Sequence, residues 1–407
     1  MDQRETIKTM ADYRHTSKGL KSINHETMLA LAERHFELAA KGRPDEAPGM
    51  MEVGTAQYLE PALFEREKRA IFNRYPVVAG LSRDMPNPGD YIKIDDLQAP
   101  LFVTRTKSGK AKAFINGCRH RGTALVTEAR GCGKAVFSCP YHGWGYSPDG
   151  DLVSVPNAEA FEGLNKKNYG LIEVACEERH GIIFVAPNAG EDLNLDKHLG
   201  RELSDELATW GFDQVNPAHH TPIPVKANWK LVLGTFLETY HFKATHKNNL
   251  ALVYNCNVNT VDAYEKNLRV SISMNTLQTE YAHQPEDERI PENYVHVAYL
   301  LFPGMILINN AQVLQMFRIF PKSVNETIVQ FSTYSRLPLD NPENKALFED
   351  VFRNAVEIVT TEDFDFGAVT SQRAIDSGVL KTIIFGANEL PLQLMEQSIQ
   401  EAMREIG

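Results

Sequence analysis

The stretches Cys118-Arg119-His120-Arg121-Gly122 and Cys139-Pro140-Tyr141-His142-Gly143-Trp144 decide how this chain is read. Eighteen residues separate His120 from Cys139, and the spacing is C-x-H in the first stretch and C-x2-H in the second. Each stretch therefore offers one thiol and one imidazole. Two groups take such a donor set. A structural zinc can be held by two Cys and two His. A [2Fe–2S] cluster with two thiolates on one iron and two imidazoles on the other uses the same four. Zinc loops usually pair Cys with Cys and His with His, whereas here each loop mixes them. Gly122 and Gly143 would let the backbone come close to bridging sulfides, and Pro140 and Trp144 read as cover. The flanking sequence is β-like: Tyr91-Ile92-Lys93-Ile94, Leu101-Phe102-Val103-Thr104, Ala113-Phe114-Ile115 and Gly181-Ile182-Ile183-Phe184-Val185. Pro148-Asp149-Gly150 is a hairpin-type turn. Residues 75–190 are expected to form a small all-β domain.

Working outward, residues 1–74 carry two helical patterns, at 23–42 and 61–72, the first closed by Gly42 and Pro44. The stretch Pro187 to Asp196 is a boundary, and 191–407 forms the last region. It has a helical segment near 228–243, strand-like runs at 268–276, 294–302, 304–309, 312–320 and 326–336, an amphipathic stretch at 342–376 and a terminal helix at 391–405. Strands followed by long helices make an α+β arrangement.

With 407 residues, 43% of them hydrophobic, the chain can build two cores. Its net charge of −11 argues against a nucleic-acid partner, which needs a basic surface. No basic n-region with an apolar run opens the sequence, and no apolar stretch approaches the roughly 20 residues of a spanning helix. A cytoplasmic protein is expected. Five cysteines are too few and too uneven for a secreted disulfide framework; Cys132, Cys176 and Cys256 read as small, unreactive residues.

A cluster that moves single electrons does no bond chemistry alone. A second iron with open positions would need two His and one carboxylate. Asn228-Trp229-Lys230 leads into Glu238-Thr239-Tyr240-His241-Phe242-Lys243-Ala244-Thr245-His246. Five residues apart on an ideal helix is about 140° off one face, so His241 is expected to end a helix and His246 to sit on the turn beyond it. The H-E-x-x-H zinc pattern differs, since its two His share a face. Glu238 lies three residues before His241, on the same side of such a helix. The carboxylate is expected from Thr360-Thr361-Glu362-Asp363-Phe364-Asp365, where Asp363 and Asp365 are alternatives and Thr360-x-x-Asp363 also fits a capping box.

The two Cys/His loops, the Asn-Trp-Lys lead to His241 and His246, the Glu362-Asp363 pair with Gln372, and Phe385-Gly386-Ala387-Asn388-Glu389 closely resemble the α subunits of Rieske ring-hydroxylating oxygenases. The spacing between the loops is one residue longer than the commonest form. Gly234-Thr235 stands where many members have an acidic residue and Asn. The resemblance implies a Rieske β domain plus a helix-grip (START/Bet v 1-like) catalytic domain on which the N-terminal segment packs. It implies that Cys118, Cys139, His120 and His142 hold the [2Fe–2S] cluster, that His241, His246 and Asp363 hold a mononuclear Fe(II), and that Glu238 bridges to the Rieske His of a neighbouring subunit in a homotrimer. The activity implied is hydroxylation of a small molecule with O2, using electrons from an NAD(P)H-dependent reductase, with or without a ferredoxin; a β subunit is left open. Phe236, Phe242, Met305, Leu307 and Asn309 are candidate pocket residues. An aromatic substrate is the first expectation and a methylated amine or quaternary ammonium compound the second. Two other classes remain: a helix-grip ligand-binding protein with a vestigial cluster, which would lack the iron ligands, and a redox sensor, which would need a DNA-binding region.

Overall fold

The computed structural model describes residues 25–310 and 312–406. The reading of the first residues as free of a leader falls outside them. No helix among the described residues is long and apolar enough to cross a membrane. The chain divides into two compact units. One comprises Arg69–His198 with Gly211–Gln214; the other takes the residues through Lys68, Leu199–Trp210 and everything from Val215.

The first unit is built from short antiparallel strands. A five-stranded sheet runs in the order Glu173–Val174, Ala111–Ile115, Leu101–Arg105, Tyr91–Ile94, Arg130–Gly131. Leu101–Arg105 is buried at every position because it lies mid-sheet with both faces covered. Cys176–Arg179, Ile182–Val185 and Val77–Leu81 form a second sheet, and Phe137–Ser138, Gly145–Tyr146 and Leu152–Ser154 a third. Tyr91, Phe102, Phe114, Phe137, Trp144 and Tyr146 pack together, and Cys118 and Cys139 belong to the same core.

The second unit holds a seven-stranded antiparallel sheet in the order Asn216–Val225, Glu326–Ser335, Val313–Ser323, Met305–Asn309, Val295–Leu301, Asn267–Met274, Tyr254–Tyr264. The α+β expectation with an antiparallel meander matches this, but the helix-grip expectation does not. The sheet is open: its edge strands, Asn216–Val225 and Tyr254–Tyr264, are not paired with one another. Sequence explains both edges. Asn216–Val225 carries Pro217, Pro222 and Pro224, which lack the N–H that a closing ladder needs, so it suits an edge. Beside the other edge lies the helix His25–Lys41, tied to Asp262 by Arg34 at 2.8 Å and to Ser271 by the His35 ring at 2.9 Å. Met51–Gly54 pairs with Thr382–Phe385, so the N-terminal stretch is part of this unit.

Cross-strand register places Val270 opposite Ala298, Ala298 opposite Ile308, and Ile308 opposite Gln315. The helix Pro342–Ile358 starts at Asn341, whose side chain accepts the backbone N–H groups of Glu343 and Asn344. It runs on through widened turns at Val359–Val369 into Thr370–Asp376. Asp363 therefore lies inside a continuous helical path and caps nothing.

Candidate active site

The two Cys/His loops are the same turn used twice. Cys118 N–H donates to Thr123 O at 2.8 Å and Gly122 N–H to Cys118 O at 2.8 Å. In the second loop Cys139 N–H donates to Trp144 O at 2.8 Å and Gly143 N–H to Cys139 O at 3.0 Å. The glycine at the fifth position has φ +79° in one and +72° in the other, a conformation that L side chains rarely adopt. His120 is the third residue of its turn and His142 the fourth. Their rings nevertheless meet, with centroids 4.7 Å apart, and His120 stacks on Trp144 at 5.1 Å and 10°. Both thiols are buried. His120 Nδ1 is buried with no hydrogen-bond partner, which is what a ligand atom looks like before it meets its metal. Tyr146, unremarked in the sequence, is fully buried; its oxygen accepts Arg119 N–H at 3.0 Å and stands 3.3 Å from Cys118 Sγ. These residues fit a cluster with its Cys pair on one side and its His pair on the other.

In the second unit Asn228 caps the helix Trp229–Gly234 by accepting Lys230 N–H at 3.0 Å. Trp229 Nε1 and Lys230 Nζ both donate to buried Glu67, at 3.0 and 2.5 Å, which anchors the base of the segment. The helix then stops at Gly234, and the Thr235 hydroxyl turns back onto Val232 O at 2.9 Å. The expected helix through His241 is thus replaced by an irregular run, and Glu238 is not on a helix. Weak helix formers at Gly234-Thr235 account for the break. His241 precedes, and His246 follows, a single turn, Phe242–Thr245.

That turn brings His241 Nε2 and His246 Nε2 to 3.1 Å. Asp363 Oδ1 lies 3.2 Å from the second and 3.3 Å from the first. Three donors about 2.1 Å from one centre, at 90–110° to one another, stand about 3.0–3.4 Å apart, so His241, His246 and Asp363 could hold one ion. It is the one such group among the described residues. Asp365 is exposed and outside it. Each ring is fixed from behind. His241 Nδ1 meets Glu238 Oε1, and His246 Nδ1 meets Glu362 Oε2 at 2.6 Å. Glu362 in turn accepts Asn249 Nδ2 at 2.9 Å. Glu238 is committed on its other oxygen too, which accepts the backbone N–H groups of Tyr240 and His241. In the sequence Glu362 has no role beyond its place in the Glu362-Asp363 pair, and Asn249 carries only the i+3 position after His246 as a signal.

The charges favour a cation. Burial pulls the His241 imidazole down, but hydrogen bonding to Asp363 and Glu238 outweighs it and raises the group to about 9. His246 is also raised, by Asp363 and Glu362 against burial. Burial pushes the Asp363 carboxyl up, and the two imidazoles more than reverse this. Three carboxylates surround two rings.

Two family descriptions match this chain: the Rieske [2Fe-2S] domain over residues 75–171 and the ring hydroxylating alpha subunit (catalytic domain) over residues 212–405. The chain belongs to the Rieske ring-hydroxylating oxygenase α subunits. Among curated relatives, the glycine betaine monooxygenase oxygenase subunit of Chromohalobacter salexigens is 35% identical over 189 residues, 46% of this chain and 42% of the relative. Biphenyl 2,3-dioxygenase subunit alpha of Rhodococcus jostii is 38% identical over 196 residues, with the same two coverages. The matched stretches thus span less than half of these relatives. Two solved structures share the fold. A quaternary ammonium Rieske monooxygenase in complex with L-carnitine has TM-score 0.70 at 20% identity, covering 88% of this chain and 96% of that one. Naphthalene 1,2-dioxygenase from Rhodococcus sp. bound to indole has TM-score 0.68 at 18% identity, covering 93% and 98%.

In this Rieske α subunit a cavity of about 270 Å³ opens on the His/His/Asp group, with His246, Asp363 and Glu238 in its wall. Phe236 and Phe242 line it, as does Phe317, whose ring centroid is 4.6 Å from that of Phe236. Met305, Leu307 and Asn309 are not in the wall; Ile308 and Asn310 are. A strand turns alternate residues to opposite faces, and the even positions are the ones turned inward here. No Lys or Arg is among the described lining residues.

Proposed function

We propose that this protein is the terminal oxygenase of a Rieske system, hydroxylating a small, uncharged, largely aromatic substrate with O2 and electrons from an NAD(P)H-dependent reductase. The observation that carries the reading is the triangle of His241 Nε2, His246 Nε2 and Asp363 Oδ1 on the wall of an otherwise mostly apolar cavity. Cys118 and Cys139 would hold one cluster iron, His120 and His142 the other, and His241, His246 and Asp363 the mononuclear Fe(II). When bound, the cluster passes single electrons and the Fe(II) activates O2. The chain's own residues do the rest. Glu238 and Glu362 hold a proton on each Nδ1, so both rings present Nε2 as donor. The three donors crowd one side and leave the other toward the cavity. Phe236, Phe242 and Phe317 keep water from the reacting face.

The lining favours an aromatic substrate over a betaine. A betaine's carboxylate would enter a wall without Lys or Arg, and burying an unpaired ionised group is costly. A homotrimer with the cluster of one subunit serving the iron of the next suits the exposed side chains beside each donor set: Tyr141 at 58%, Tyr240 at 59% and Phe366 at 66% exposure. A bridge from Glu238 to a neighbour's histidine would have to share a carboxylate already engaged on both oxygens.

The test is metal analysis with a substrate panel. About three irons and two acid-labile sulfides per chain are expected, with O2 uptake coupled to an ¹⁸O-labelled product from an aromatic substrate in the presence of a generic reductase. Stoichiometric zinc at the Cys/His loops, or oxidation confined to quaternary ammonium compounds, would overturn the corresponding part.

A further inference from the structure

The helix Pro342–Ile358 turns one stripe to the cavity: Leu347, Val351, Asn354, Ala355 and Ile358. Its spacing is that of an apolar helix face, and Asn354 is its only polar member. Asn is a poor helix former, so it stands there against both pattern and propensity, a combination that marks functional positions. The strand Val313–Ser323 presents Val313, Gln315 and Phe317 to the same cavity. Gln315 is again the single polar residue, in an inner strand between Ile308 and Thr333.

Neither amide has a hydrogen-bond partner among the described residues. The other polar groups of the wall are engaged, the Asn293 amide excepted. Tyr254 OH meets His296 Nδ1 at 2.8 Å, and Asn310 Oδ1 accepts the N–H groups of Gln312 and Val313 at 3.1 and 2.7 Å. Thr239 Oγ1 lies 3.2 Å from Asn259 Oδ1. Each lies part-way along its element, Gln315 between Val313 and Phe317 and Asn354 between Val351 and Ile358. Val313 and Val351 pack in one apolar cluster at the far end. At the near end Phe317 packs on Phe236, which meets Phe364 beside Asp363, with centroids 5.9 Å apart. Gln315 is two residues, about 7 Å, along the strand from Phe317. Asn354 is four residues, about 6 Å, along the helix from Ile358.

We propose that Gln315 and Asn354 are specificity residues that recognise an uncharged hydroxyl or carbonyl group on the part of the substrate remote from the metal triad. This rests on the oxygenase reading and names the class of substrate that site takes. A carboxamide offers both N–H donors and a C=O acceptor, so a pair satisfies either a hydroxyl or a carbonyl. A carboxylate would find donors but no countercharge. A bare hydrocarbon would leave two desolvated amides without partners, a penalty paid by the wrong substrate alone.

The experiment uses the metal-loaded protein and four probes on one ring system: naphthalene, 2-naphthol, methyl 2-naphthyl ketone and 2-naphthoate. Calorimetric titration reads binding without turnover. The naphthol and the ketone are expected to bind about tenfold tighter than naphthalene, and the naphthoate more weakly than naphthalene. In Gln315→Met and in Asn354→Leu the advantage of the polar probes should fall below about threefold, and in the double variant it should vanish. The readout is a ratio within one protein, so a partly unfolded sample lowers every probe without moving it. An unchanged ratio in both variants, tightest binding by the naphthoate, or binding of none of the probes overturns the assignment. If the ratios behave as expected but no aromatic probe supports O2 uptake, the amide assignment stands and the oxygenase reading falls. Coupled O2 uptake with unmoved ratios has the opposite meaning.

Discussion

The two donor sets of this protein are held in position by different means. At the Cys/His loops the backbone does the holding: each turn closes on two main-chain hydrogen bonds and a left-handed glycine, and the places of the Cys and His side chains follow from the turn. At the His/His/Asp group side chains do it. His241 and His246 flank one helical turn, and their rings are aimed by Glu238 and Glu362, the latter 116 residues away in sequence. A backbone-built site resists side-chain substitution and is sensitive to anything that changes φ. A side-chain-built site should behave the other way round.

The largest effect expected from this contrast is at Asp363. Asp363→Ala removes the only anionic donor of the triangle, and two imidazoles alone hold Fe(II) weakly. Iron should fall by about one atom per chain with labile sulfide and the visible spectrum of the cluster retained, and turnover should drop to background. Full iron in that variant would break the comparison at its root. Next comes Glu362→Gln. The amide can still bond Asn249 but no longer offers a charged acceptor to His246 Nδ1. Loss of such a partner typically costs about 10–100-fold in metal affinity, measurable by Fe(II) competition against a chelator. Unchanged affinity would mean that the Phe242–Thr245 turn alone positions His246.

What the sequence disclosed follows the same division. The Cys/His loops were legible because thiol, imidazole and glycine lie within five or six residues of one another and the chemistry is local. The His241 and His246 pair was legible as spacing, while its path was not. Gly234-Thr235 ends the helix early, and the meeting of the two rings depends on one isolated turn that no periodicity reports. Glu362 and Asn249 act across the fold, so nothing near either histidine in sequence points to both. On the strand Met305–Asn309 the residues Met-Ile-Leu-Ile are apolar without alternation, so the face turned to the cavity could not be told from hydropathy. The helix-grip expectation came from the family resemblance, whereas strand count and order of elements support only the α+β arrangement. Closure depends on edges, and the prolines of Asn216–Val225 are the sequence signal that this edge stays open.

A smaller effect probes the backbone-built site. Gly143 has φ +72°, and a Cβ there would also meet Pro156 Cγ at 3.2 Å; Gly122, at φ +79°, has open space around it. A left-handed conformation costs a non-glycine residue about 1–2 kcal/mol. Gly122→Ala should lose about that much and Gly143→Ala somewhat more, seen as a lowered midpoint when cluster absorbance is followed on heating. Affinity of the mononuclear site for Fe(II) should not change in either. Equal midpoints for the two variants would show that Pro156 yields to the methyl group, and a wild-type midpoint in both would show that the turns do not set the stability of this unit.

The smallest effect belongs to Tyr146, whose hydroxyl reaches a cysteine sulfur of the backbone-built site. Its oxygen accepts the Arg119 N–H, so its own proton is free for the sulfur of Cys118, 3.3 Å away. A hydrogen bond to a ligand sulfur withdraws electron density from the cluster and favours the reduced, more negative form, which raises the potential. Tyr146→Phe keeps the ring in a core that includes Phe114 and Leu152 and removes only the donor. One hydrogen bond contributes about 1 kcal/mol, which for a single electron corresponds to roughly 40 mV. The variant should therefore carry a full cluster with a potential lower by about that amount, read by spectroelectrochemical titration, and metal content should match the parent. A potential that does not move would mean the hydroxyl serves only the Arg119 N–H and the sulfur is not its acceptor. A potential that rises would reverse the sign of the argument and point to water entering the space left by the hydroxyl.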